Sequence, residues 1–319
     1  MEQEWAIETQ GLTRRFRHVT AVDGLDLAIR RGEIFGLLGP DGAGKTTTIR
    51  MLCAILNPSA GSARVAGFDT VREPEEIKKR IGYMAQQFSL YGDLTVEENL
   101  TFFADIFGVG RQERQERMAR LLEFARLTAF RNRRAANLSG GMQKKLALAC
   151  TLIHQPEIIF LDEPTTGVDP VSRREFWDIL TELHLQGVTL FVSTPYMDEA
   201  ERCSRAALMF EGRIFVCDAP ARIKELVEGD LLELRPSHLR QAAVILEGLD
   251  GVLEVQTYGD LLHVFLDDVE ARLPALQAAL TGAGITAEGL RRTRPRMEEA
   301  FISLIRRRQE EAGHAIRDT

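Results

Sequence analysis

Cysteine is scarce in this sequence. Its four cysteines, Cys53, Cys150, Cys203 and Cys217, stand far apart without metal-ligand spacing. That argues against a zinc site or a disulfide framework and for reduced, mostly buried thiols of a cytosolic protein. Basic excess is also missing: 40 Lys and Arg face 47 Asp and Glu, a net charge of −7. No overall positive field gathers nucleic acid, and no nucleic-acid partner is expected. No apolar run approaches the roughly 20 residues that cross a bilayer. The acidic start Met1-Glu2-Gln3-Glu4 leads into no signal-like apolar segment. A membrane task would therefore need a second chain. The rest of the composition, 45% hydrophobic and 27% charged over 319 residues, is ordinary for a soluble protein of about two domains.

Against this plain background one stretch stands out, Gly39-Pro40-Asp41-Gly42-Ala43-Gly44-Lys45-Thr46. It fits the phosphate-loop template, and it lies between the apolar strand-like run Ile34–Leu38 and the helix-like run Thr47–Leu52. Glycines let the backbone turn so that several N–H groups converge on one phosphate, and the helix start adds partial positive charge. Lys45 is suited to reach the β- and γ-phosphates and the Thr46 hydroxyl to ligate Mg²⁺. A second anion site is legible at Leu138-Ser139-Gly140-Gly141-Met142, ahead of a helix expected over Lys144–His154. There Ser139 can cap the helix, and the two glycines leave its N–H groups uncovered. One chain seldom needs two phosphate sites, so the economical reading is that this one completes a site on another copy.

The run Ile158-Ile159-Phe160-Leu161 reads as a buried strand ending in Asp162-Glu163. Asp162 is placed to hold Mg²⁺ through water, and Glu163 to polarise a water for attack on a γ-phosphate. The strand Arg80–Ala85 ends at Gln86-Gln87, at the edge where α/β sheets bind ligands. Ahead of the phosphate loop, Arg14-Arg15-Phe16-Arg17-His18 reads as a loop between the strands 5–8 and 25–30. Phe16 either stacks on a base or plugs the sheet edge.

Residues 94–136 read as a helical insertion, opened by Thr95 and Glu98 as a capping box. The Phe102-Phe103 pair is expected in its core, and Phe88 to Tyr91 on a partner surface. Val188–Ser193 reads as a further core strand and Met197–Glu201 as the start of a helix. A hairpin is expected around Glu211-Gly212. Beyond about residue 228 a β-α-β-β-α-β succession, followed by an amphipathic helix over Pro295–Arg308 and a frayed polar tail, reads as a small ferredoxin-like domain without a catalytic constellation.

Taken in order, the phosphate loop, the strand-end glutamine, Leu-Ser-Gly-Gly and the apolar strand into Asp-Glu strongly resemble the ATP-binding subunit of an ATP-binding cassette (ABC) transporter, over residues 4–225. The overall look, including Gly167-Val168-Asp169-Pro170 and Tyr196–Glu201, is similar to multidrug and daunorubicin-type exporter ATPases with an extra C-terminal domain. The resemblance implies an α/β P-loop NTPase cassette, with a mixed-sheet core and a helical subdomain, over 4–228. The helical subdomain would span about 88–150, and a small α+β accessory domain 229–319.

Carried over by motif, Gly39–Thr46 becomes the Walker A loop, with Thr47 on the α-phosphate and Phe16 stacking on adenine. Gln86 becomes the Q-loop residue on Mg²⁺, Leu138–Met142 the signature and Ile158–Asp162 the Walker B strand. Glu163 becomes the catalytic base and Gly167–Pro170 the D-loop. ATP and Mg²⁺ are the implied ligands. The implied partners are a second cassette, in a homodimer or heterodimer, and a polytopic membrane permease. The implied location is the cytoplasmic side of the cell membrane, as a peripheral protein. Three positions depart from the pattern: Asp41 for an asparagine, Met142 for a glutamine, and Pro195 for the histidine that contacts the γ-phosphate. Proline offers no side-chain hydrogen bond, which makes a regulatory, ATP-binding subunit with little hydrolysis one alternative to the exporter; a soluble non-transport ABC ATPase is a separate one.

Overall fold

Strands buried on both faces set the architecture. The computed structural model describes residues 4–87 and 90–317, with side chains through 309, and it divides into two compact units, Met1–Asp218 and Ala219–Thr319. The first unit opens with a hairpin, β1 (Trp5–Phe16) and β2 (Val19–Arg30), followed by β3 (Ile34–Leu38) and α1 (Lys45–Leu52). Next come β4 (Ala60–Val65), β5 (Phe68–Asp69), α2 (Pro74–Lys78) and β6 (Ile81–Met84). Helices α3 (Val96–Ile106), α4 (Arg111–Phe124) and α5 (Gly140–Leu152) lead to β7 (Ile158–Asp162). Then α6 (Pro170–Leu185), β8 (Thr189–Thr194), a 3-10 turn over Met197–Arg202, β9 (Arg205–Phe210) and β10 (Arg213–Asp218) close the unit.

The central sheet runs β10-β9-β3-β8-β7-β6, parallel except for β10. Every residue of β3, β7 and β8 is buried, as expected of parallel strands covered on both faces. Alternation sorts their side chains. Phe35, Phe160 and Phe191 pack with Ile49 and Leu52 of α1 and with Ile7, Leu12, Leu25 and Ile29 of the antiparallel sheet β2-β1-β4-β5. Ile159, Leu161, Leu190 and Val192 face the other way, onto Leu148 of α5 and Phe176, Trp177 and Leu180 of α6. The carboxyl ends of β3, β6, β7 and β8 therefore share one edge, where ligands of such sheets bind.

The insertion has its own core, in which Leu100, Ala104, Met118, Leu122, Leu146 and Ile153 cluster. Its entrance is the expected capping box: Thr95 Oγ1 accepts from Glu98 N at 3.2 Å, and Thr95 N donates to Glu98 Oε2 at 2.7 Å. Phe103 packs partly against this core, while Phe102 lies edge-on to Tyr91 with centroids 4.5 Å apart. Phe88, expected on a partner surface, lies outside the described residues.

Three local expectations need correction. Arg14–Phe16 is strand, not loop: Arg14 pairs with Val22 and Phe16 with Val19, so cross-strand pairing overrides a basic run that looks like a turn. Helix α5 begins at Gly140 rather than Lys144, because the Ser139 hydroxyl accepts from Met142 N and starts it there. Met197–Arg202 is a 3-10 turn. There the Glu199 side chain is drawn inside to accept from the Thr165 hydroxyl at 2.5 Å.

The second unit holds α7 (Pro220–Glu225), β11 (Asp230–Pro236), α8 (Leu239–Glu247), β12 (Val252–Tyr258), β13 (Leu261–Leu266), α9 (Val269–Gly282), β14 (Ala287–Thr293) and α10 (Met297–Arg317). Its antiparallel sheet runs β12-β13-β11-β14, and the β-α-β-β-α-β succession is the one read from the sequence. The division falls before α7, which packs on α10, rather than at residue 228. Helix α10 runs to Arg317 rather than ending at Arg308, since residues 309–317 are mostly good helix formers.

Candidate active site

The phosphate loop links β3 to α1. Gly44 has φ +108°, and a Cβ there would lie 2.3 Å from the Ala21 carbonyl oxygen of β2, so only glycine passes. The turn between β9 and β10 braces the loop, with Gly212 N donating to Ala43 O at 3.0 Å. Lys45 Nζ donates to the carbonyls of Gly39 (2.9 Å) and Pro40 (3.0 Å) and lies 3.3 Å from Glu163 Oε1, with both side chains buried. Asp162 and Glu163 come from the end of β7, next to β8, where Asp162 pairs with Ser193.

Asp162 Oδ1 accepts from Ser193 Oγ at 2.6 Å and from Thr46 Oγ1 at 3.1 Å, whereas Oδ2 is buried with no hydrogen-bond partner. A buried carboxylate oxygen without a donor is where a cation fits. Among the described residues there is no cluster of three or more His, Cys, Asp or Glu that could hold a metal alone. The donor set of one carboxylate and one hydroxyl suits Mg²⁺ completed by substrate phosphates and water. Burial, and after it the Asp162 charge, push the Cys53 thiol well above its ordinary value and Tyr83 up to about 12.

Glu163 follows the strand with φ +49°, a left-handed conformation that costs a bulky residue roughly 1–2 kcal/mol. Its amide donates to Ser193 O at 3.0 Å, and Gln86 Nε2 donates to its Oε2 at 2.9 Å. The carboxylate thus stands between Lys45 and Gln86. Lys144 of α5 closes the group, with its Nζ donating to Gln86 O at 3.0 Å. Burial lowers its pKa, and the Glu163 and Asp162 charges oppose that.

A cavity of about 570 Å³ opens over these groups. Of the residues singled out from the sequence, Asp41, Gly42, Gly44, Lys45, Thr46, Thr47, Gln86 and Glu163 line it. Gly39, Pro40 and Ala43 support it through backbone carbonyls. Asp41 itself is exposed. Pro195 lines the cavity too and brings no hydrogen-bonding side chain there. Phe16 does not line it. It sits at the tip of the β1–β2 hairpin, 42% exposed, with the Arg14 guanidinium 4.6 Å from its ring centroid. The same hairpin sends Ala21 to the cavity wall.

The signature residues are not in this cavity. Gly140 lines a separate cleft of about 300 Å³ with Gln86, Lys144 and Gly167. The two glycines, treated alike from the sequence, differ: a Cβ on Gly140 would make only an ordinary contact, 4.0 Å from the Gly167 carbonyl oxygen, whereas one on Gly141 would lie 2.6 Å from Ser172 of α6. Gly141 therefore serves helix packing. Met142 packs partly into the core of the insertion, which accounts for an apolar residue at that position. Sequence reasoning assigned no role to Ser193, Thr166, Tyr196, Ala21 or Lys144. For Ser193 alone a local signal existed, a hydroxyl at the end of an apolar run.

Residues 22–166 match the sequence profile described as ABC transporter. The chain is 35% identical over 311 residues to the daunorubicin resistance ATP-binding protein DrrA2 of Streptomyces coeruleorubidus, covering 96% of this chain and 97% of DrrA2. It is 45% identical over 221 residues to the probable multidrug ABC transporter ATP-binding protein YbhF of Escherichia coli, covering 69% of this chain but only 38% of YbhF. Among solved structures, the ATP-binding cassette MJ0796, a dimer in a post-hydrolysis state with ADP and Pi bound, superposes with a TM-score of 0.62 at 26% identity, covering 67% of this chain and 98% of MJ0796. With the phosphate loop, the Asp-Glu pair and the signature helix in place, and full-length relatives beside them, the chain belongs to the ATP-binding proteins of the ABC transporter family.

Proposed function

We propose that the chain is the ATP-binding and ATP-hydrolysing subunit of an ABC exporter, closing on a second cassette around ATP to drive a separate membrane permease. The observation that supports this most is Glu163, held by Lys45 and Gln86 beside Asp162 in the phosphate-loop cavity. Phosphate oxygens entering the loop would replace Glu163 as the partner of Lys45. The freed carboxylate would take a proton from the water whose oxygen bonds the γ-phosphorus, while the bond from that phosphorus to the β–γ bridging oxygen breaks. Mg²⁺ held by Asp162 and Thr46, with Gln86 beside it, would neutralise charge on the phosphate oxygens.

Ser139 and Gly140 would close over the ATP of the partner cassette, and Phe16 would stack on adenine. Among the described residues no helix is long and apolar enough to cross a membrane. That fits a peripheral protein on the cytoplasmic face whose permease selects the cargo. The names of DrrA2 and YbhF favour drug-like cargo. The second unit, Ala219–Thr319, would form the accessory domain.

The lack of a hydrogen-bonding side chain at Pro195 motivates one rival to be tested, an ATP-binding regulatory subunit with little turnover. Phosphate release by the purified protein, with and without its permease, separates the two readings. Turnover that Glu163→Gln abolishes, while that variant forms an ATP-dependent dimer, supports hydrolysis. Nucleotide binding with zero turnover in both settings supports regulation.

A further inference from the structure

Helix α5 carries more than the signature. Gly140 and Lys144 lie one turn apart on the same face, and both border the cleft that also contains Gln86. The Lys144 ammonium donates to the Gln86 carbonyl at 3.0 Å, and the side chain of the same glutamine donates to Glu163. Next to it on α5, Lys145 turns away to an ion pair with Glu175 of α6. One lysine fastens the helix to the core, and the other reaches across the cleft to the Q-loop residue.

We infer that Lys144 is a positioning residue, a strut that fixes the signature end of α5 relative to the Gln86–Glu163 pair of its own chain. The inference rests on the two-cassette reading above. In such a dimer the Ser139 end of α5 serves the partner's ATP, while Lys144 holds the main chain of Gln86, whose side chain donates to the chain's own Glu163. The strut therefore ties the two ATP sites together through one helix turn. A hydrogen bond from a charged donor is among the stronger single contacts, so its loss should be measurable.

The test needs no turnover. In the Glu163→Gln background, the ATP concentration for half-maximal dimerisation is measured by light scattering, and nucleotide affinity of the monomer is measured at high dilution. Adding Lys144→Met should raise the dimerisation midpoint about fivefold and leave monomer affinity unchanged. Adding Lys144→Arg, which keeps a charged donor, should restore the midpoint to within about twofold. An unchanged midpoint in the methionine variant, an equal loss of monomer affinity, or failure of arginine to rescue would overturn the strut. A Glu163→Gln parent that never dimerises with ATP would instead remove the two-cassette reading, and the strut with it.

Discussion

The two half-sites of this chain are built in opposite ways. At the phosphate loop nearly every charge is answered from within the chain: Lys45 by two carbonyls and Glu163, Asp162 Oδ1 by Ser193 and Thr46, Glu163 by Gln86. At the signature, Ser139 spends its hydroxyl on its own helix start, and Gly140 leaves room for a side chain, the Gly167 carbonyl oxygen lying 4.0 Å from where a Cβ would sit. A site that satisfies its own charges is preorganised to bind. A helix start with an open glycine is complete only against another surface. On the proposed function, the contrast would let the chain bind nucleotide alone and need a second cassette to enclose it.

The contrast can be attacked at its strongest point first. Lys45→Ala removes the internal partner of Glu163 and the cation for phosphate; losing one member of a buried charged pair costs about 3–5 kcal/mol. ATP affinity should fall at least about a hundredfold by calorimetry; normal affinity would mean that nucleotide binds elsewhere. Glycine substitutions then sharpen the difference within the signature. Gly141→Ala drives a methyl into Ser172 and should cost about 1–3 kcal/mol, lowering Tm by several degrees. Gly140→Ala should leave Tm unchanged and weaken only ATP-dependent dimerisation. Equal Tm values for the two would erase the distinction drawn between them. The smallest effect belongs to Pro195. Pro195→His restores a hydrogen-bonding side chain at the cavity wall and should raise steady-state phosphate release about fivefold, while Pro195→Ala leaves it alone. A histidine variant no faster than the parent would show that position 195 does not limit turnover.

Some of the site was legible because its members are neighbours along the chain. Gly39 to Thr46 form one loop, and Asp162 and Glu163 end one apolar strand, so spacing alone named them. Local chemistry also announced the Thr95–Glu98 capping box and the Glu211-Gly212 turn, whose residues take φ +48° and +79°. Where partners lie far apart in sequence, reading by spacing failed. The hydroxyl of Ser193 holds Asp162 because β7 and β8 pair in one register. Arg14 to Phe16 looked like a loop because their charges suit solvent, yet pairing with β2 makes them strand.

The sequence by itself determined the nucleotide-binding chemistry and the order of elements, because a phosphate loop, a helix cap and an apolar strand are short-range patterns written in consecutive residues. Only the tertiary structure decided that Gly140 is open while Gly141 is packed, that Glu163 turns back through a left-handed backbone to Lys45, and that Lys144 reaches Gln86. Those outcomes depend on which strands lie side by side and which helix packs over them, and no single stretch of chain encodes either.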